Sequence, residues 1–532
     1  MKRLIVIVAL LASCHREARP DSGGGAAAAG AAQGTGAQGT AAQGTAAQGA
    51  AAQGAAAQPP AAKPPPAKPP AAPSAAEQAA LGQQPRIDAL KPFEAPAPRI
   101  ERLGNGLTVY LVERKGDGIE SIRFVVRGGA SADPASKPGL ASLTAALLET
   151  GAGGRDQTAL AAAADALGAT LSVGATQDAV VASVSAMTTQ LGPAVKLLAD
   201  VALRPTLAEA EWKHVQEQRE AALIDQRAEP GVAAVRAFRA AAYGDHALGR
   251  PVEGTIESVK ATRLADVKAF YASFAPAGAA LIAVGGAPAD EVLRALRPAF
   301  EKWKPAHAAR PPVKDGAVPT DRPRLVLVDF PGKPQSVVLV GQPAVPRSSP
   351  DFLALEAFNS VLGGSFTSRL NQNLRELHGY SYGAFSRFAF GRGPGAFAAR
   401  SSVKTDVTGP SVGEILHELQ LAVAEPVTAA ELDKARALLA YQLVETLSHA
   451  DALAAEVAGM FIDGLPPDEL QTRVPRLQAL TPQSVQAAAA RALDPAHMTI
   501  GIAGDKAAVL PQLEKLGLPA PQLRDATGAL LH

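Results

Sequence analysis

The side chains able to do chemistry are few and scattered. Nine histidines occur, His15, His214, His246, His307, His378, His417, His449, His497 and His532. No two of them stand at a spacing that would set paired imidazoles on one helix face or one hairpin, as a metal site needs. Each reads as a surface or loop residue. The stretch GLASLTAALLETG, residues 139–151, is an apolar helix opened by a glycine after Lys137-Pro138, and it carries Ser142, Thr144 and Glu149 but no imidazole or thiol. Further on, LRELHGYSY sets Arg375 and Tyr382 seven residues apart. Taken singly, Arg375 reads as an exposed helix residue paired with Glu376, and Tyr382 as a half-buried strand aromatic. The GGSF turn at 363–366 is glycine-rich but lacks the strand–GK[ST]–helix setting of a phosphate loop.

The elements that must position these residues begin after a long atypical N-terminal stretch. Lys2 and Arg3 precede a short apolar run, Leu4–Leu11, with the length and flanks of a secretory signal. It ends in LASC, which resembles a bacterial lipobox, so Cys14 is expected to become a lipidated N-terminus. His15, not Asp, follows it, which favours the outer membrane. Cys14 is the only cysteine, so no intrachain disulfide forms. The expected location is the bacterial cell envelope, lipid-anchored and facing the periplasm. The rest of the sequence has no apolar run long enough for a transmembrane helix. Lys and Arg total 51 against 50 Asp and Glu, a net charge of +1, which argues against nucleic acid as the main partner. Hydrophobic residues make 47%, with alanine dominant, so the folded part should be rich in helix.

The organisation expected is a signal peptide at 1–14, a tether at 15–92, an N-terminal domain at 93–304, a linker at 305–322, a C-terminal domain at 323–520 and a tail at 521–532. The tether repeats a five-residue Ala/Gly/Gln unit and then turns Pro-rich, a composition that cannot bury a core. Within the body, RIERLGNGLTVYLVERKG gives an alternating strand interrupted by a GNG turn, and IESIRFVVRGG a second strand. Helices and strands then alternate up to the buried-looking strand GAALIAVGG. The same order recurs from RPRLVLVDF to PAHMTIGIAGD, with a hairpin at GYSYGAFSRF and GAFAARSSVK. Two α/β (α+β) halves follow from this order.

The pieces LGNGLTVYLVE, RGGASADPASKPGLA, YGDHALGRPVEGTIESVKA and VLGGSFTSRLNQNLRELHGYSYGAF, in this order and duplicated, resemble the M16 (insulinase, pitrilysin, processing-peptidase) family of zinc metallopeptidases. The resemblance runs from about 97 to 520. It implies repeated α/β units with mixed, largely antiparallel sheets flanked by helices, two halves facing two others across a closed chamber. Active members carry H-x-x-E-H in the helix after GLA. Aligned there, Ser142 and Ala146 stand at the two histidine positions and Ala145 at the general base, and Asp225 lies near the expected third ligand. Alanine has no donor atom, and one carboxylate cannot hold zinc. The resemblance also implies that Arg375 and Tyr382 match the pair that relatives point across the chamber, the phenol toward the oxyanion and the guanidinium toward substrate carbonyls. The reading is a chain with no metal of its own, which pairs with a zinc-bearing homologue as a heterodimer acting on peptides. The alternative is a non-catalytic scaffold or peptide-binding lipoprotein. Gln335 and Ser336, on the edge-like strand KPQSVVLVG, are a weaker candidate for accepting a peptide by β-addition.

Overall fold

The computed structural model describes residues 94–305, 318–319, 321–322 and 324–531. The expected signal peptide, Cys14, the tether and most of the linker lie outside the described residues.

Two six-stranded sheets form where apolar residues alternate or run together. The first contains Arg99–Arg102 (β1), Thr108–Glu113 (β2) and Ile119–Arg127 (β3). A small ladder, Gly151–Ala152 (β4) with Arg155–Asp156 (β5), stands apart from it. Thr170–Ala175 (β6), Ala179–Met187 (β7) and Ala279–Gly285 (β8) complete the sheet in the order β1-β2-β8-β3-β7-β6, with only β2 and β8 parallel. The second contains Leu325–Asp329 (β9), Gln335–Ala344 (β10), Ser381–Ala389 (β11), Gly395–Lys404 (β12), Thr499–Gly504 (β13) and Gln522–Arg524 (β14). Its order is β11-β12-β10-β13-β9-β14, and only the last two pairings are parallel. Mixed, largely antiparallel sheets with flanking helices are the arrangement that the resemblance implies.

One strand differs from its expected place. β10 is not an edge: it lies between β12 and β13, and Ser336 is fully buried. The run Ser336–Gln342 is buried on both faces, as an interior strand must be, whereas an edge strand with one wet face would alternate. The edge on that side is β11, the strand that carries Tyr382.

Each sheet is completed by a helix from the other half. Helix Pro230–Tyr243 turns Ala233, Ala234, Ala237, Phe238 and Ala241 onto β9, β10 and β13. Its small residues let the helix approach closely: a Cβ on Gly501 would come within 3.0 Å of Phe238 Cβ. The Tyr243 hydroxyl donates to the Gly395 carbonyl at 2.6 Å. In return, helix Ala450–Asp463 packs Leu453, Ala454 and Val457 against β3 and β8. The periodicity reading contains neither helix.

Candidate functional site

Helix Leu140–Leu148 starts where Gly139 adopts φ +93°, and Asp133 accepts hydrogen bonds from the amides of Gly139 (2.8 Å) and Ala141 (2.9 Å). Its apolar side is in the core: Leu143, Ala145, Leu147 and Leu148 are buried. Thr144 is buried too and donates to the Leu140 carbonyl. Ser142, Ala146 and Glu149 form the half-buried stripe. Asp225 stands in the last turn of helix Glu209–Gln226, which packs against the first helix, but its side chain is exposed. Two of the three motif positions therefore offer only methyl groups. Among the described residues, no three His, Cys, Asp or Glu side chains form a group able to hold a metal ion. The donor set at these positions does not fit zinc.

What the stripe does contain is Glu149. Its carboxylate accepts a hydrogen bond from the Val173 amide on the edge strand β6. Burial pushes its pKa from the ordinary 4.5 up to about 7, although the Val173 amide opposes the shift. The folded chain thus holds this proton in a range where the unfolded chain has released it. The contribution to stability is fullest below about pH 4.5 and falls as pH rises to about 7. Glu149→Gln should raise the melting temperature at pH 8 and leave it almost unchanged at pH 4.5. Thermal denaturation at the two pH values checks this, and equal shifts at both would contradict it.

Arg375 and Tyr382 come from opposite ends of one tight connection. Helix Arg369–Asn371 continues into a π-helical turn, Gln372–Leu377, a widened geometry often found at functional sites. The Tyr380 amide donates to the Leu374 carbonyl, Gly379 takes φ +64°, and β11 begins at Ser381. The Arg375 guanidinium lies 4.2 Å from the ring centroid of the exposed Phe366. Its buried Nη1 reaches Glu376 at 3.5 Å, as an ion pair without a hydrogen bond. The pair expected of an ordinary helix arginine is thus present but weak, since exposed ion pairs contribute little.

Tyr382 is turned outward by a β-bulge. Ala384 pairs with Ser401 and Phe385 with Arg400, but Ser381 pairs with Val403. Tyr382 and Gly383 therefore oppose Ser402 alone, an extra residue that re-aims the strand. Strict alternation would have put Tyr382 on the face of Ala384, Ser386 and Phe388, which is core. Instead its side chain is 93% exposed, not half-buried. Phe385 shares the outer face. Asn371, almost wholly buried, pins the bulge: its Oδ1 accepts from the Ala384 amide at 2.9 Å, and its Nδ2 donates to Ser365 O and Ser368 Oγ, both at 3.2 Å. Asn371→Leu strands these buried groups and should cost about 1–3 kcal/mol in urea denaturation. A loss below about 0.5 kcal/mol would show that the bulge holds without it.

The chain therefore has one half without metal donors and one half that turns the Tyr382 phenol outward, with Arg375 on the turn next to it. Two family models match the chain: "Insulinase (Peptidase family M16)" over residues 109–256 and "Peptidase M16 inactive domain" over residues 263–439. The chain belongs to the M16 peptidase family. This M16 chain is 27% identical over 289 residues to a protein of Streptomyces coelicolor described as an uncharacterized zinc protease, covering 53% of this chain and 62% of that protein, less than two thirds of its length. It is 22% identical over 320 residues to a Helicobacter pylori protein described as a non-peptidase homolog, covering 60% of this chain and 73% of that one. Among solved structures, the peptidase M16 inactive domain from Pseudomonas fluorescens superimposes with a TM-score of 0.72 at 26% identity, over 77% of this chain and 98% of that one. The periplasmic protease PqqL of Escherichia coli shares the fold, with a TM-score of 0.66 at 19% identity, over 79% of this chain and 46% of that one.

Of the expected site residues, the fold places Arg375 and Tyr382 on neighbouring, packed elements, and Ser142, Ala145 and Ala146 along one helix. Phe366, Phe385 and Asn371 escaped the sequence reading. Gly383 was the available signal, because a glycine inside a strand marks a bulge or a close approach.

Proposed function

We propose that this chain is the non-zinc subunit of an M16 peptidase, lending Arg375 and Tyr382 to the active site of a zinc-bearing homologue. The observation that carries the reading is the outward phenol of Tyr382, on a strand packed against the turn that carries Arg375, in a chain whose own metal positions hold Ser142, Ala145 and Ala146. The Tyr382 hydroxyl would donate to the oxyanion that forms at the scissile carbonyl, and Arg375 would hold a backbone carbonyl of the substrate. Zinc belongs to the partner. Substrates are peptides or unfolded segments, since a closed chamber admits only what threads or fits. The location that goes with this role is the periplasmic side of the envelope, held through a lipid at Cys14, with the outer membrane favoured.

Co-expression with a zinc-bearing M16 homologue of the same organism, followed by size-exclusion chromatography, tests the pairing. One complex of two unlike chains is expected; separate elution at micromolar concentration would contradict it. The second reading is a non-catalytic scaffold or peptide-binding protein, favoured by the Helicobacter relative's description as a non-peptidase homolog. It expects Tyr382→Phe to leave any associated peptidase activity unchanged.

A further inference from the structure

A cavity of about 430 Å³ opens where helix Pro230–Tyr243 meets the outer face of β12. Three arginines line it, Arg236, Arg239 and Arg400, and none of them forms an ion pair among the described residues. Arg236 donates to the Gln226 amide oxygen, and Arg239 to the Leu248 carbonyl at 2.8 Å and to Gln177 Oε1 at 3.3 Å. Arg400 pairs through its backbone with Leu339 and Phe385, and its side chain makes no hydrogen bond among the described residues. Its Nη2 occupies the space that a side chain at Gly231 would fill, 2.7 Å from the Cβ position. Glu229 and Glu253 also line the cavity without pairing with these arginines. Glu253 acts on Arg236 and Arg239 only through its field, while burial lowers the pKa of all three guanidiniums. Guanidiniums that face neutral acceptors, or none, keep donors for a carboxylate, which they can grip with two parallel bonds. The remaining wall is apolar, from Val232, Val235 and Pro251.

The cavity adjoins the face of the candidate site. Arg400 pairs across the hairpin with Phe385, whose exposed ring shares that face with Tyr382 three residues earlier on β11. At about 3.3 Å per residue the strand covers that gap in roughly 10 Å. A peptide stretched along β11 past Tyr382 and Phe385 would deliver its end to the arginines.

We propose that the Arg236–Arg239–Arg400 cavity binds the C-terminal carboxylate of a peptide whose last side chain is small and apolar. The carboxylate takes the free donors of Arg400, aided by Arg236, and the terminal side chain lies against Val232 and Val235. This rests on the reading that the chain handles peptides, but it needs neither the zinc-bearing partner nor catalysis.

The test is calorimetric titration of the full chain with N-acetyl-Ala-Ala-Ala-Val as the free acid and as the C-terminal amide, with inorganic phosphate as a third probe. The free acid should bind at least about tenfold more tightly than the amide, the effect of one lost charge-assisted interaction. Arg400→Gln should remove that preference while leaving the melting temperature unchanged, and Arg236→Gln should reduce it. Phosphate should bind more weakly than the free acid. Equal binding of acid and amide overturns the proposal while peptide binding itself stands. Phosphate binding as tight as that of the peptide acid overturns it in favour of a general anion site. Absence of binding by all three probes, with the partner complex still hydrolysing peptides, overturns it without touching the role of Tyr382.

Discussion

In the proposed complex with a zinc-bearing homologue, Tyr382→Phe should lower turnover by about 10²–10³-fold, the usual cost of one oxyanion donor. KM should change little, because the ring and its contacts remain and only the hydrogen bond made in the transition state is lost. Folding should be unaffected. The Tyr382 side chain is 93% exposed and its hydroxyl bonds to nothing among the described residues, so the change in stability should stay within about 0.5 kcal/mol. Steady-state kinetics on the purified complex, alongside a melting curve of the variant, separates the two effects. A turnover within threefold of the parent would remove Tyr382 from the reaction.

Glu469→Gln should be the most damaging single change to stability. This carboxylate is 2% exposed and accepts from Arg347 and Arg476, both at 2.8 Å, with Arg473 at 3.6 Å. Burial alone would raise its pKa, but the guanidinium of Arg347, with those of Arg473 and Arg476, holds it below the ordinary carboxylate value. Arg347 also lies over the Phe352 ring at 3.4 Å, and Arg473 bonds Glu456 at 3.0 Å, so the cluster ties the segment after β10 to the helices around 450–478. Removing the shared anion leaves the buried Arg347 without a carboxylate and close to Arg473, which keeps Glu456, a cost of about 3 kcal/mol. Urea denaturation measures it; a loss below about 1 kcal/mol would mean that the arginines relax into solvent.

The strands and most of the helices were legible because their apolar residues keep a period that burial then rewards. Val109, Leu111, Phe124 and Val126 face the core as alternation requires. The two exchanged helices were not legible, for a physical reason. Both pack on a sheet assembled from distant sequence; residues 230–243 bury mostly alanine and 450–463 mix alanine with Leu453, Val457, Met460 and Phe461, so neither stripe says which sheet it covers. The site divides the same way. The missing zinc donors follow from residue identity alone, because an alanine at 145 or 146 has nothing to coordinate with. The outward aim of Tyr382 depends on a one-residue bulge and on Asn371 thirteen residues from the amide it holds, and no local period encodes that. The arginine cavity was hidden for the same reason: Arg236 and Arg400 are 164 positions apart and meet only because a helix of one half covers the sheet of the other.

The most direct measurement is peptide hydrolysis by a zinc-bearing M16 homologue titrated with this chain. The expected result is a rate that climbs to a plateau at one chain per homologue, and a plateau at least about a hundredfold lower when the added chain carries Tyr382→Phe, with the complex still formed. A homologue equally active alone, or a plateau indifferent to Tyr382, would contradict the central claim that this chain lends its phenol to a neighbour's chemistry.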